Sequence, residues 1–220
     1  SQGSVAVNSN YVLNYTGNNL TVGTRSVTIA ADAKSKTYGD ADPALTYAIT
    51  SGTLASGDSF TGDLLRAPGN DVGTYAISQG SVALNSNYVL NYTGNDLTIG
   101  TRSVTIAADA KSKTYGDADP VLTYAISSGT LATGDSFTGN LSRAAGNAAG
   151  TYAINQGTVS LNNNYVLNYI PANLTIDKRS LTVTADNQSK IYGSPNPELT
   201  ITYSGFAGTE NASDLATSAT

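Results

Sequence analysis

The sequence predicts a mostly β fold, built as a series of small domains of 77 residues each. Three observations carry this prediction. The chain is rich in Gly, Ser, Thr, Asn and Ala and has 14 Tyr against 3 Phe, a composition typical of strands and turns with polar outer faces. Several short segments alternate apolar and polar residues, as half-buried strands do. The stretch KSKTYGDADP at residues 34–43 returns letter for letter at 111–120, which indicates a tandem array.

The repeat defines the predicted domains. Residues 25–101 (the first repeat) and 102–178 (the second repeat) align without a gap and are identical at 59 of 77 positions. Residues 1–24 match the C-terminal part of a preceding repeat, and residues 179–220 match the N-terminal part of a following one. We therefore expect a piece of a longer array, with partial ends that are disordered or pair with another chain through exposed sheet edges. Copies of this size fold as small domains, and the lack of flexible linkers between them predicts an elongated rod.

Each complete repeat predicts strands in a fixed order around one crossover. The first strand, RSVTIAAD, places Val27 and Ile29 on one face. The second strand, ALTYAIT, directs Leu45, Tyr47 and Ile49 inward, and GTYAISQGSVAL is predicted to form two short strands. The next strand, NYVLNY, directs Tyr88, Leu90 and Tyr92 inward, and the closing strand, DLTIG, directs Leu97 and Ile99 inward. In the last copy, Leu199, Ile201 and Tyr203 keep the inward register of the second strand.

The crossover, residues 51–66, lacks clean alternation. Asp58 is predicted to N-cap a short helix there, with Leu64 and Leu65 following. The corresponding part of the last copy looks more helical still. This order suits a β-grasp-like sheet with a short helical crossover, and an Ig-like β-sandwich is the alternative because short strands at regular spacing also fit it.

Two carboxylates one residue apart, Asp40 and Asp42, raise the question of a metal site. Calcium takes several carboxylate and carbonyl oxygens, so Asp40, Asp42 and their equivalents Asp117 and Asp119 are calcium candidates. Further oxygen ligands would come from Asp58, Asp63 and Asp71. However, Ser194 and Asn196 replace the pair in the last copy, and no established calcium-loop motif is present. We therefore favour a structural turn, with no metal and no cofactor.

The recurring Lys and Tyr residues have similar alternatives. Lys36, Lys113 and Lys190 are candidates for isopeptide cross-linking to Asn, but that reaction needs a buried acid, so we expect solvated lysines near a strand end. Five tyrosines recur in each repeat: Tyr38, Tyr47, Tyr75, Tyr88 and Tyr92. They would suit sugar stacking, but Tyr47, Tyr88 and Tyr92 alternate in phase with Leu or Ile, so we expect these three in the core.

The composition excludes several functions. With no His and no Cys, neither a Ser-His-Asp nor a Cys-His site is possible, and we predict no catalytic residues and no enzyme. The net charge of −5 argues against nucleic acid as a partner. No apolar run approaches the roughly 20 residues of a membrane helix.

The motifs of each repeat resemble the MBG domain of bacterial surface proteins, in its YGX form. The resemblance rests on Lys36, Tyr38, Gly39, Pro43 and Leu45, followed by Gly57-Asp58, Gly73-Thr74-Tyr75, Asn87-Tyr88 and Leu97-Thr98-Ile99. It implies tandem stalk repeats of a large secreted or cell-surface adhesin, often filamentous-haemagglutinin-like, at the bacterial surface. The expected function is a spacer that projects a binding tip and contacts only neighbouring repeats. The alternative is a multivalent weak binding module for glycans or host matrix proteins.

Overall fold

The computed structural model of the protein describes residues 1–216. The chain forms two compact units. Unit 1 comprises Ser1–Lys36, Asp42–Gly69 and Gly73–Thr98. Unit 2 comprises Thr37–Ala41, Asn70–Val72 and the chain from Ile99 onward. Two short segments of the first repeat thus belong to unit 2.

The first repeat forms two small sheets. Its strands are β1 (Arg25–Ala31), β2 (Lys34–Thr37), β3 (Tyr47–Ser51), β4 (Leu65–Arg66), β5 (Gly73–Ser78), β6 (Tyr88–Thr93) and β7 (Asn95–Gly100). One sheet has the order β3-β1-β6 and the other has the order β2-β7-β5-β4. Strand β1 is antiparallel to β3 and parallel to β6. A mostly β fold is therefore confirmed.

The inward face of β1 is confirmed as the centre of the core. Val27 and Ile29 are fully buried, and Val82 packs with them. Ala31, at the end of β1, packs with Ile77 of β5 and Leu97 of β7, so apolar side chains join the two sheets. The alternating patterns of β1 and β7 thus assigned their buried residues correctly, because a period of two sends every second side chain to the same face.

Unit 2 repeats this arrangement. Its strands are β8 (Arg102–Ala108), β9 (Lys111–Thr114), β10 (Tyr124–Ser128), β11 (Ser142–Arg143), β12 (Gly150–Asn155), β13 (Tyr165–Ile170), β14 (Ala172–Asp177), β15 (Thr182–Ala185) and β16 (Ile201–Ser204). They form the sheets β10-β8-β13, β11-β12-β14-β9 and β15-β16. Strands β8 and β13 are parallel, as are β14 and β9.

The predicted helical crossover of the complete repeats is wrong. Residues 51–66 contain turns, β4 and an isolated bridge from Thr61 to Ala83, but no helix. Gly62, four residues after Asp58, has a φ of +78°, which breaks a helix that would start at Asp58 and reach Leu64. The Asp58 carboxylate caps no helix and instead accepts the Tyr88 hydroxyl at 2.7 Å. In the last copy, a single 3₁₀ turn (Ala212–Asp214) follows the capping residue Asn211.

Three smaller predictions also fail. Ile49 and Leu199 were expected to face inward, but they are 43% and 81% exposed. The β1–β3 register shifts at Thr28/Ile29, and such a bulge re-aims the side chains of an edge strand. Leu199 lies before β16 begins and so is outside the strand whose alternation would direct it inward. The second half of GTYAISQGSVAL forms the isolated bridge at Ala83 instead of a strand.

Candidate functional site: the lysine–aspartate–arginine turn

The YGD stretch forms a turn, as the sequence predicted. The Asp40 N–H donates to the Thr37 carbonyl at 3.0 Å. Between them, Gly39 has a φ of +81°, a left-handed conformation that favours glycine. Asp117 and Ser194 make the same bond in the later copies, so the turn does not depend on a carboxylate.

Asp42, two residues after the turn ends, is held between two cations. Its carboxylate lies 2.7 Å from Lys36 Nζ and 2.6 Å from Arg66 Nε. The second repeat reproduces this group with Lys113, Asp119 and Arg143, at 2.6 Å for both pairs. We call each of these triads, Lys36–Asp42–Arg66 and Lys113–Asp119–Arg143, a turn cluster.

Arg66 ties its turn cluster to the loop that follows β4. Its Nη1 donates to the carbonyls of Ala67 and Gly69 at 2.9 and 2.6 Å, and its guanidinium lies over the Tyr75 ring, 5.5 Å from the centroid. The Arg66 hydrogen bond, followed by that of Lys36, lowers the pKa of Asp42. The carboxylate is therefore a charged structural anchor whose two oxygens both accept from the protein.

The expectation of solvated lysines is wrong for the complete repeats. The Lys36 and Lys113 side chains are only 9% exposed, because their stems are covered while their ammonium groups reach the carboxylates. Their partners are Asp residues rather than the Asn that an isopeptide bond requires. In the last copy, Lys190 donates to the Asn196 amide oxygen at 2.6 Å, so an amide substitutes for the carboxylate as acceptor.

A second set of contacts within unit 2 involves the turn backbone and the arginine that opens the next copy. Arg179 Nε donates to the Tyr115 carbonyl at 2.7 Å, and its Nη2 pairs with Asp117. Ala207 lies against Gly116, where an added Cβ would come within 2.3 Å of the alanine methyl carbon. The Tyr115 hydroxyl donates to Glu210, and this bond raises the pKa of Tyr115.

The arginine and alanine contacts recur 77 residues earlier, also within unit 2. Arg102 donates to the Tyr38 carbonyl at 2.7 Å and pairs with Asp40, and Ala132 lies against Gly39. We call the Arg179–Tyr115–Asp117 and Arg102–Tyr38–Asp40 groups the junction clasps. The buried Asn164 adds a further tie, because it donates to Asp71 and accepts the Val72 N–H, both at 2.8 Å.

The calcium candidates are therefore all engaged by cations of the protein. Asp42 and Asp119 belong to the turn clusters, and Asp40 and Asp117 belong to the junction clasps. Asp63 has an exposed side chain. Within residues 1–216, no three Asp, Glu, His or Cys side chains gather as metal ligands would.

The five recurring tyrosines of the first repeat are half-buried. Tyr47, Tyr88 and Tyr92 pack on the core of Val27, Ile29 and Val82, which confirms the core assignment of these three. A cleft of unit 2 of about 510 Å³ is lined by polar and charged groups that include Asp117 and Asp119 and their neighbours Lys113 and Arg143. This lining suits internal ion pairing, since each cation there already has a carboxylate partner.

Sequence reasoning missed the arginines and Asn164. Arg66 recurs as Arg143, and an arginine opens every copy at Arg25, Arg102 and Arg179. The recurrence of these arginines every 77 residues is the feature of the sequence that could have identified them. It gave no indication of which carboxylate each arginine would meet, because the partners lie 24 and 62 residues away.

A family model described as MBG domain (YGX type) matches residues 27–98, 104–175 and 181–220. Neither the comparison with curated proteins nor the comparison with solved structures found a match. Among the residues that the structure describes, no helix has the length and apolar character needed to cross a membrane.

Proposed function

The chain belongs to the MBG domain (YGX type) family, and on that premise we propose that it is a non-catalytic spacer of a bacterial surface adhesin. In this proposal, small β domains in series hold a binding tip away from the cell, outside the cytoplasm, as an elongated rod. Their partners are neighbouring repeats of the same chain. The domains carry no cofactor and no calcium. Of the two predicted topologies, we favour a helix-free β-grasp-like one, because β1 and β6 are parallel whereas Ig-like sandwiches are antiparallel.

The recurrence of the junction clasp is the observation that carries this proposal. A spacer must resist bending where one copy meets the next. Here only one residue separates the end of β7 from the start of β8. The arginine that opens a copy then bonds a backbone carbonyl and a carboxylate of the preceding turn, and it does so at both junctions. The carbonyl bond fixes the turn backbone itself, so both bonds oppose hinge motion. The recurring half-buried tyrosines support the same conclusion, since side chains that pack in the core are not free to stack on a glycan.

The clasp provides a matched test. Arg179→Ala removes the bonds to the Tyr115 carbonyl and Asp117, whereas Arg25→Ala removes the same charge from a position whose guanidinium donates to Thr53 O of its own repeat. Small-angle scattering of the 220-residue chain should give a narrow distance distribution for the wild type and Arg25→Ala. Arg179→Ala should give a broader distribution with a shorter maximum dimension. Equal broadening in both variants, or a compact wild-type chain, would refute the spacer.

A binding screen distinguishes the spacer from the multivalent binding module. The wild-type chain is tested against glycans and host matrix proteins, once with calcium and once with chelator. The spacer predicts no binding in either condition. Reproducible binding would make the repeats themselves adhesive, and binding that a chelator abolishes would restore the calcium hypothesis for Asp40 and Asp42.

A further inference from the structure

The first and last strands of the second repeat run side by side in the same direction. In one sheet, β8 pairs in parallel with β13 over six residue pairs, beginning with Arg102 opposite Tyr165. In the other sheet, β9 pairs in parallel with β14 over four residue pairs, beginning with Lys111 opposite Leu174. All of these pairs join residues 63 positions apart. The two N-terminal strands therefore keep a single register against the two C-terminal strands while both pass from one sheet to the other.

These strand pairs form one parallel ladder. Only Pro171 separates β13 from β14, and a β-hairpin reversal needs a loop of about two residues, so the chain continues onward there. The Arg102 N–H donates to the Asn164 carbonyl at the beginning of the ladder at 2.9 Å, and the Tyr115 N–H donates to the Asp177 carbonyl at its end at 2.8 Å. We call residues 102–114 paired with residues 165–177 the clamp ladder.

Buried side chains fix the clamp ladder against the core. Val104 and Ile106 of β8 and Leu174 and Ile176 of β14 are all buried. Sliding one side of the ladder along the other would pull these side chains out of their contacts before water could reach the backbone. A backbone hydrogen bond that breaks without water to replace it costs the full desolvation of its donor and acceptor. The core therefore makes the ladder bonds resist sliding together.

The repeat is loaded through opposite ends of this ladder. The chain enters the second repeat at the start of β8 and leaves it at the end of β14. Because the strands are parallel, tension on the chain pulls the two sides of the ladder past each other along its length. All ladder bonds then carry the load at once. If entry and exit lay at the same end of the ladder, the same tension would break the pairs one at a time.

We propose that the clamp ladder is a mechanical clamp, so that each complete repeat bears tension along the chain without unfolding. The first repeat has the same arrangement, since β1 and β6 are parallel with the same spacing of 63 residues and the Arg25 N–H donates to the Asn87 carbonyl at 2.9 Å. Load-bearing deepens the spacer proposal and rests on it for its use, because a spacer between a cell and an attached tip is pulled through its ends.

Pulling one protein in different directions tests the clamp. The chain has no native Cys, so pairs of introduced cysteines can carry the handles for single-molecule force spectroscopy. Thr101→Cys with Lys178→Cys loads the clamp ladder along its length, and both positions are exposed. Thr101→Cys with Asn163→Cys, also exposed, pulls apart the beginnings of two neighbouring strands. Because β13 is the edge strand beside β8, this second pair peels it away step by step.

A third handle pair controls for the attachment sites. Ala118→Cys with Lys178→Cys peels the edge strand β9 from β14 at the other end of the ladder, so each peeling pair shares one handle with the lengthwise pair. The length released, at most about 3.6 Å per residue between the handles, identifies the unfolding event. Urea midpoints equal to that of the wild type establish that the cysteines leave stability unchanged.

At equal loading rates, the rupture force along the ladder should exceed both peeling forces at least about twofold, because bonds that break together share the load. A lengthwise rupture force that does not exceed both peeling forces would overturn the clamp. That result would leave the spacer standing, because the spacer is tested by scattering from the unloaded chain. Conversely, a compact wild-type chain in scattering would remove the spacer without changing the ratio of the rupture forces.

Discussion

Replacing Asp42 by Asn tests the two ion pairs of the first repeat's turn cluster. The substitution keeps the shape of the side chain but turns one carboxylate oxygen into an NH2 donor, so only one of Lys36 and Arg66 keeps an acceptor, and that acceptor is uncharged, like the Asn196 oxygen that Lys190 contacts. One short charge-assisted bond is therefore lost and the other is weakened. The Asp42 side chain is 41% exposed, so solvent screening limits each bond to about 0.5 kcal/mol, and we expect a total loss of about 1 kcal/mol.

Hydrogen exchange measures this loss within the first repeat. A cost of about 1 kcal/mol corresponds to a roughly fivefold loss of protection for the core amides of β1, β5 and β7. The second repeat retains Asp119 and serves as the internal reference. Asp63→Asn is the matched control, because the Asp63 side chain is exposed and Asn140 stands at the same position in the second repeat.

The effect should depend on pH with a defined sign. The pKa of Asp42 is lowered from 3.8 in the folded protein, so its contribution to stability is fully present above that value. It is lost as the pH falls through the lowered folded pKa, where the wild-type carboxyl is also neutral. The protection of wild type and Asp42→Asn should therefore converge in strong acid. Unchanged protection of Asp42→Asn at neutral pH, or an equal loss in Asp63→Asn, would refute the assignment of Asp42 as an anchor.

Three further predictions concern the core, the junction and calcium. Leu97→Ala should lower the free energy of unfolding by about 2–5 kcal/mol, because Leu97 is fully buried. Leu65→Ala, at an exposed position, should change it by less than about 0.5 kcal/mol. Urea denaturation compares the two variants, and equal midpoints would contradict the core assignment. Gly116→Ala should reduce hydrogen-exchange protection around Ala207, because the new methyl group would collide with that residue. Gly193→Ala is the control, since Gly193 has the same φ of +86° but no atom within 4 Å of the added methyl group. Identical exchange profiles of the two variants would argue against the contact between Gly116 and Ala207. Millimolar calcium should leave the melting temperature unchanged, and a rise that chelator reverses would contradict the ion-paired arrangement of Asp40 and Asp42.

Most of the strand framework follows from the sequence because it depends on local periodicity. Val27, Ile29 and Leu97 alternate with polar residues, and a strand must then bury them together. The crossover was predicted wrongly for one local and one long-range reason. A cap-like Asp58 and two leucines suggest a helix, but Gly57 and Gly62 adopt positive φ, and the Asp58 carboxylate is taken by Tyr88 from a strand 30 residues away.

The candidate site was harder to predict because its contacts are long-range. The turn itself was predictable from Gly39 and Pro43, which act on the neighbouring backbone. The partners of its carboxylates were not, since Asp42 and Arg66 meet only when β4 returns to the turn. Substitution of both Asp residues in the last copy weakened the calcium hypothesis, but it could not separate a turn residue from an ion-paired anchor.

The two aspartates of the KSKTYGDADP stretch, Asp40 and Asp42, have partners in different repeats. Asp42 binds cations of its own repeat, and Asp40 pairs with the arginine that opens the next one. In the last copy both carboxylates are absent, and Ser194 and Asn196 keep the turn and the lysine contact without supplying charge. The backbone carbonyl of the turn does not depend on the side chain at the aspartate position, and Arg179 and Arg102 reach it at the same 2.7 Å in the two complete repeats. The carbonyl bond is thus the part of the clasp that a repeat can conserve while its charges vary, and the carboxylate adds a contribution that screening by salt would remove first.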